Sequence, residues 1–385
     1  MILASKFTTP AVTFIGTGAL EEAAADICAL GKKALIVTGH SMIKQGNVKV
    51  LTDILDKGDV GYVVFSEITG EPTDVMIDAG LKTYNNENCD FIIGFGGGSP
   101  LDSAKAIGAM VTNTGKISDY NGKVITNELP PVVAIPSTAG TGSETTQFTV
   151  ISDTKNNIKM LLKGLVLIPK IAVVDPVFTM QAPPSVTKAT GLDALTHAVE
   201  AYTSKKAFAE TDIFAISAVK RIFKYLPKAY KDGTDEKARE EMAIAAFEAG
   251  VCINNSSVTI VHGMSRPIGA LFHVPHGISN AMLLKECLSF AVDGTYERFA
   301  DLGRAIGVAS ADETDETAAI KFIDALGDIC KTCDVPTLEE YGINKDEFFN
   351  VIDKMAKDAF DSGSPSNTRK TITVEDIKQI YKKLW

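Results

Sequence analysis

Two architectures follow one another in this sequence: an α/β half built on a doubly wound parallel sheet, then an all-α half. Three observations predict this. Short apolar runs alternate with amphipathic helical stretches through the first part of the chain, which is the pattern of a parallel sheet covered on both faces. From Pro183-Pro184 onward almost no strand signal remains. The length of 385 residues is enough for two sizeable cores. The expected domains are therefore 1–182 and 183–385.

Taken in order, Ala11–Ile15 reads as a short strand, and Gly16 to Leu30 as a helix with Leu20, Ala24 and Ile27 on one face. Lys33–Thr38, KALIVT, is a near-continuous apolar strand, as buried parallel strands are. Gly39-His40-Ser41 opens a helix expected to run through Leu55. Strands follow at Val60–Phe65, Asp90–Phe95 and Pro131–Ile135, with helices at Thr73–Tyr84 and Leu101–Met110 between them. Phe148–Ser152 and Ile158–Leu162 flank the polar stretch Asp153 to Asn157 and read as a hairpin. Lys170–Asp175 is one more strand. Helical patterns then run in series: Ser185–Tyr202, Asp212–Tyr225, Asp235–Ile253, Val258–Ala270, Ala281–Phe290, Tyr296–Leu302, Glu316–Cys330, Lys345–Ala356 and Val374–Lys383.

Composition narrows the function classes. A net charge of -10 and the lack of any Lys/Arg block argue against nucleic acid or an anionic membrane as partner. No apolar run reaches the roughly 18 residues of a membrane span, and MILASKFTTP lacks the pattern of a secretion signal. Six cysteines are too sparse for a disulfide scaffold. Cys330-Lys-Thr-Cys333 reads as two free thiols on a helix surface, and the expected compartment is the reducing cytoplasm. No G-x-S-x-G occurs, and Cys252 and Cys287 sit among apolar neighbours as core.

Two small-residue loops each follow an apolar strand. In Gly94-Phe-Gly-Gly-Gly-Ser-Pro-Leu-Asp-Ser-Ala-Lys105, glycines 96, 97 and 98 let a ligand approach backbone N–H groups, and the helix start behind them favours an anion. Ser137-Thr-Ala-Gly-Thr-Gly-Ser-Glu144 is the second. Either alone is an ordinary turn; two on one sheet edge point to a dinucleotide at the carboxyl ends of the strands.

In the helical half, Asp193 and His197 lie four apart within GLDALTHAVEAY and share a helix face. The bland alternative is a helix carboxylate and a satisfied core histidine. Of only five histidines, however, three more fall in His262 to Gly277, HGMSRPIGALFHVPHG. Asp193, His197, His262 and His276 form a candidate metal set; three imidazoles and a carboxylate suit Fe²⁺ or Zn²⁺ with an open position for substrate.

GGGSPLDSAKA, STAGTGSE, GLDALTHAVEAY and HG(x)12HG, in this order and spacing, resemble the iron-containing (group III) alcohol dehydrogenases, from about Phe14 to Trp385. The resemblance implies a dinucleotide-binding α/β domain followed by a helical metal-binding and catalytic domain, with reversible hydride transfer between nicotinamide and a small alcohol or aldehyde. It implies metal ligation by the same four residues and pyrophosphate binding by Gly96, Gly97, Gly98 and Ser99. Asp102, Thr138, Thr141 and Lys159 match positions lining the cofactor cleft in the family. Gln147 stands in that cleft region where the family often has asparagine. A homodimer or higher homo-oligomer is expected.

Other departures bear on substrate and cofactor. Arg266, one helical turn from His262, replaces a common histidine, and its guanidinium suits an anionic substrate group. His273 replaces a common asparagine and is the candidate for moving protons. Asn367-Thr368-Arg369 replaces a common Asn-Pro-Arg. After Lys33–Thr38 many members carry an acidic residue that repels a 2′-phosphate. Here it is Gly39, with Ser41 at a helix start and Lys44 one turn on, so NADP(H) is favoured over NAD(H). Two rival readings are a lyase like dehydroquinate synthase and a metal-bound hydrolase without nucleotide.

Overall fold

A computed structural model describes residues 4–156 and 158–385. The chain divides into two units, Thr8–Ala182 and Pro183–Trp385, the second joined by the described residues before Thr8. Those first residues thus leave the α/β part to which 1–182 assigned them. The reason is aromatic: the Phe7 ring stacks on Phe214 at 6.1 Å and meets Phe208 edge-on at 6.4 Å.

The α/β unit runs β1 (Val12–Ile15), α1 (Ala19–Glu22), α2 (Ala24–Cys28), β2 (Lys33–Thr38), α3 (His40–Lys44), α4 (Asn47–Lys57), β3 (Gly61–Phe65), α5 (Asp74–Asn86), β4 (Phe91–Gly96), α6 (Gly98–Thr112) and β5 (Val132–Pro136). Then come the antiparallel pair β6 (Phe148–Asp153) and β7 (Ile158–Lys163), and finally β8 (Ile171–Val174). Six strands form one all-parallel sheet in the order β1-β8-β5-β4-β2-β3. Because strand side chains alternate, each central strand feeds two cores. Ala34, Ile36, Ile93, Val133 and Val173 pack with Leu20, Ile27, Leu51 and Leu55 of α1, α2 and α4. Leu35, Val37, Ile92 and Val132 pack with Ile77 of α5 and Ile107 of α6.

Three helix boundaries differ from expectation. The stretch 16–30 is two short helices, divided at Ala23, whose ψ of -9° tightens the turn. The stretch 39–55 is also divided, because Gly46 takes a left-handed φ of 81° that no helix interior tolerates. The glycine cluster is itself helical from Gly98 onward. Asn157, the end of the expected hairpin turn, lies outside the described residues.

The second unit is helical: α7 (Pro184–Thr203), α8 (Ala209–Lys231), α9 (Glu236–Ser256), α10 (Ile260–Phe272), α11 (His276–Ala291), α12 (Tyr296–Ala305), α13 (Asp315–Thr332), α14 (Lys345–Asp361) and α15 (Val374–Lys382). Helix α7 is buried along all of Gly191 to Thr203, which is why its sequence lacks a polar face. It packs against α8, α9, α10 and α11. No single helix among the described residues is long and apolar enough to cross a membrane.

All six cysteines are free thiols. The helix-surface expectation for Cys330 and Cys333 is wrong: both are buried, Cys330 with its thiol on the Ala281 carbonyl and Cys333 just past the end of α13. Burial pushes their pKa values up to about 12 and about 11. The burial comes from the packing of α13 against α11 and α12, which the C-x-x-C spacing does not report.

Candidate functional site

In the α/β unit the order in which strands are added reverses between β2 and β4. The chain leaves β2 towards β3 on one side and leaves β4 towards β5 on the other. A crevice opens at the carboxyl ends at such a point. Gly39 follows β2, Gly96 and Gly97 end β4, and Ser137–Thr141 follow β5, so the two small-residue loops are neighbours on this edge. They also touch. Ser137 N donates to Gly96 O at 2.8 Å, and a Cβ on Gly98 would come 2.8 Å from Thr141 Cγ2. A Cβ on Gly97 would lie 3.5 Å from Thr138 Cγ2. Helix α6 has no side-chain cap at Gly97, so its first amides, including that of Ser99, are available to an anion.

Other expected cofactor positions behave differently. Asp102 is engaged in structure: Oδ1 accepts from Ser143 Oγ at 2.5 Å and Oδ2 from Val150 N at 2.8 Å, tying α6 to the β5 loop and to β6. Lys159 Nζ pairs with Glu71 Oε1 at 2.6 Å. The Gln147 carbonyl accepts from Gly164 N at 3.0 Å. Ser41 and Lys44 lie on α3 with exposed side chains that have no internal polar partner among the described residues.

Two groups here escaped the sequence reading. Lys105, fully buried, donates to Thr146 O at 3.0 Å, Thr146 Oγ1 at 3.1 Å and Phe148 O at 3.0 Å. Burial lowers its pKa to about 8, against the pull of Asp102 and Glu144. Glu144 is 2% exposed, and burial raises its carboxyl to about 7. The available signal was Lys105 three residues after Asp102, on one face of an otherwise apolar helix.

In the helical unit, α7, α10 and α11 bring the four predicted residues together. The Nε2 atoms of His197, His262 and His276 lie 3.8, 3.6 and 3.7 Å from Asp193 Oδ1. Among the described residues Asp193, His262 and His276 form a group able to hold a metal ion, and the His197 ring stacks on His262 at 4.6 Å. Donors at roughly 2.0–2.2 Å from a tetrahedral ion stand about 3.4 Å apart. The observed spacings therefore fit a first-row divalent ion after contraction of a few tenths of an ångström. Asp193, His197 and His262 are buried, whereas the His276 side chain is 46% exposed and opens the site.

The electrostatics agree with a cation-binding centre. Burial would raise the Asp193 pKa, but His197, His276 and His262 hold it well below the usual carboxylate range. Burial would lower that of His262, but Glu200 and Asp193 raise it to about 9. Glu200 and Asn280 were also missed. Glu200 Oε2 meets His262 Nδ1 at 2.5 Å. Asn280 Nδ2 donates to Asp193 Oδ1 at 2.7 Å and lies 3.2 and 3.3 Å from Nε2 of His262 and His276. Each sits at helical spacing from a ligand candidate: Glu200 three after His197, Asn280 four after His276.

Arg266, one turn along α10 from His262, donates from Nη1 to Ser364 Oγ at 3.1 Å. Among the described residues no carboxylate forms an ion pair with it, and its charge is felt at His276. His273 caps the C-terminus of α10 at a left-handed φ of 53°, and is exposed.

Profiles of two families match the chain: iron-containing alcohol dehydrogenase over residues 10–176, and the C-terminal domain of the Fe-containing alcohol dehydrogenase family over 187–385. The NAD-dependent methanol dehydrogenase of Bacillus methanolicus is 37% identical over 381 residues, covering 98% of this chain and 99% of that one. A crystal structure of 1,3-propanediol oxidoreductase superposes with a TM-score of 0.96 at 32% identity, over 100% of both chains. The sulfoacetaldehyde reductase of Bifidobacterium kashiwanohense, solved with NAD⁺, superposes with a TM-score of 0.89 at 27% identity, over 100% of this chain and 99% of that one. The chain belongs to the iron-containing alcohol dehydrogenase family, oxidoreductases that interconvert alcohols and aldehydes.

Proposed function

We propose that this protein is a metal-dependent, NAD(P)-linked alcohol dehydrogenase working mainly as a reductase of small aldehydes. In this reading Asp193, His197, His262 and His276 hold Fe²⁺, with Zn²⁺ the alternative for the same donors. The observation that carries it is the convergence of three imidazole nitrogens on Asp193 Oδ1 within 3.8 Å. When bound, the metal would polarise the carbonyl and the nicotinamide would supply the hydride.

The chain's own residues do the rest. Gly96, Gly97, Gly98 and Ser99, at the start of α6, bind the pyrophosphate, with Thr138 and Thr141 beside them and Gln147 and Lys159 further along the same cofactor region. Asp102 acts there as a strut through Ser143 and Val150. The substrate carries a carboxylate, sulfonate or similar anion, met by Arg266. Among the described residues Arg266 forms no ion pair with a carboxylate, although the Glu200 charge acts on it, and this supports the substrate role. The name of the sulfoacetaldehyde reductase of Bifidobacterium kashiwanohense, whose substrate would be an anionic aldehyde, supports this reading. His273, exposed and three residues before His276, exchanges the proton that balances hydride transfer.

NADP(H) is preferred over NAD(H) in this reading, because Gly39 presents no carboxylate and the exposed Ser41 and Lys44 on the following helix have no polar partner among the described residues. The cytoplasm is the proposed compartment, supported by six free thiols. A homodimer or higher homo-oligomer is the proposed assembly, supported by the unpaired edge of β1 with Val12 and Ile15 exposed.

The metal proposal is tested with His262→Ala. The variant is expected to stay folded by circular dichroism, bind little metal and lose turnover. Stoichiometric metal with near-normal kcat would overturn it.

A further inference from the structure

Glu200 has no assigned role, yet it is a fully buried carboxylate in contact with one of the proposed ligands. Its two oxygens face different partners. Oε1 accepts from Thr259 Oγ1 at 2.7 Å and from Val261 N at 2.6 Å, at the N-terminus of α10, where Thr259 supplies no side-chain cap of its own. Oε2 faces His262 Nδ1 at 2.5 Å. A carboxylate can only accept. His262 must therefore donate from Nδ1, which makes Nε2, 3.6 Å from Asp193 Oδ1, the nitrogen that ligates once a metal ion displaces its proton.

We infer that Glu200 is a positioning residue for metal binding: from α7 it caps α10 and at the same time imposes on His262 the tautomer whose Nε2 can ligate. The inference rests on the metal reading proposed above.

The arrangement makes Glu200→Gln informative. Glutamine has one acceptor oxygen and one donor amide. If the oxygen stays on Val261 N–H, the amide faces His262 Nδ1, which must then accept, and the proton moves to Nε2, where it blocks ligation. If the oxygen turns to His262 instead, the amide opposes the Val261 N–H, and a backbone donor cannot reverse. Thr259→Val provides the contrast, removing one cap contact while leaving the Glu200–His262 pair in place.

The test is competition for Zn²⁺ between a chromophoric chelator and metal-stripped full-length protein, for wild type and both variants, with unfolding temperatures of the stripped proteins alongside. Glu200→Gln is expected to weaken Zn²⁺ binding about 10- to 100-fold. Thr259→Val should lower the unfolding temperature but change the affinity less than about threefold. Equal affinity in Glu200→Gln and wild type would overturn the inference. Wild type that binds no Zn²⁺ would instead overturn the metal reading itself. Should Glu200→Gln not fold, selective ¹⁵N labelling of the five histidines in Zn²⁺-loaded wild type decides: His262 protonated at Nδ1 supports the inference, and metal at Nδ1 refutes it.

Discussion

Gly277→Ala tests whether the approach of two helices sets the metal centre. Gly277 is the second residue of α11, next to His276. A Cβ there would stand 2.0 Å from Ala189 O and 2.7 Å from Ala189 C. Both atoms belong to the backbone of α7, so no side chain can swing away. Ordinary contact begins near 3.4 Å, so the start of α11 must retreat by more than 1 Å. The His276 Nε2 to Asp193 Oδ1 spacing of 3.7 Å would widen accordingly, away from the edge a bound ion requires. Overpacking of this kind costs about 1–3 kcal/mol. In metal-free protein the helices relax apart; binding must restore the clash. The cost then appears as lost affinity, about 5- to 150-fold at 1.4 kcal/mol per factor of ten. Gly263→Ala is the milder comparison, because its Cβ meets ring carbons of Pro365 at 2.8 Å rather than backbone. The assay is chelator competition with circular dichroism as the check on folding. A folded Gly277→Ala protein with metal affinity within twofold of wild type would refute the reasoning.

Glu144 predicts a pH dependence. Its carboxyl is raised to about 7 from 4.5, so the folded state holds the extra proton; this stabilisation is complete below pH 4.5 and lost as pH rises through 7. Glu144→Gln should therefore be more stable than wild type by roughly 1–3 kcal/mol at pH 8 and about equal at pH 4.5, after allowance for the nearby Lys105 charge. Denaturant melts without cofactor measure it, and a difference that does not vary with pH would refute it. Arg266→Ala should erase a preference for carboxylate- or sulfonate-bearing aldehydes; an equal fall in kcat/KM for neutral and anionic substrates would make the residue structural. For the cofactor, kcat/KM is expected to be higher with NADPH than with NADH, and Gly39→Asp should reverse the order. The new Cβ lies 3.1 Å from Ile68 O, which a small loop adjustment accommodates. A tenfold NADH preference in wild type, about 1.4 kcal/mol, would refute this reading.

Much of this molecule is legible locally. Buried parallel strands such as Lys33–Thr38 read as unbroken apolar runs because both their faces meet helices. The sharing of one face by Asp193 and His197 follows from 3.6 residues per turn alone. So does the placing of Glu200 and Asn280, although a buried glutamate and asparagine carry no chemistry until their partners are known. Those partners were settled by tertiary structure. His262 and His276 reach Asp193 only because α10 and α11 pack on α7, and Gly277 is the residue that lets α11 come so near. The order β5-β4-β2 sets the two glycine-rich loops beside Gly39, which alternation of strands and helices does not specify. Asp102, matched to the cofactor cleft by resemblance, accepts hydrogen bonds from Ser143 and Val150, partners that its own sequence position does not report, and the C-x-x-C thiols turned inward. Side-chain period is a property of one element and is written in its residues; which face meets which depends on packing between elements far apart in the chain, where shape and burial decide.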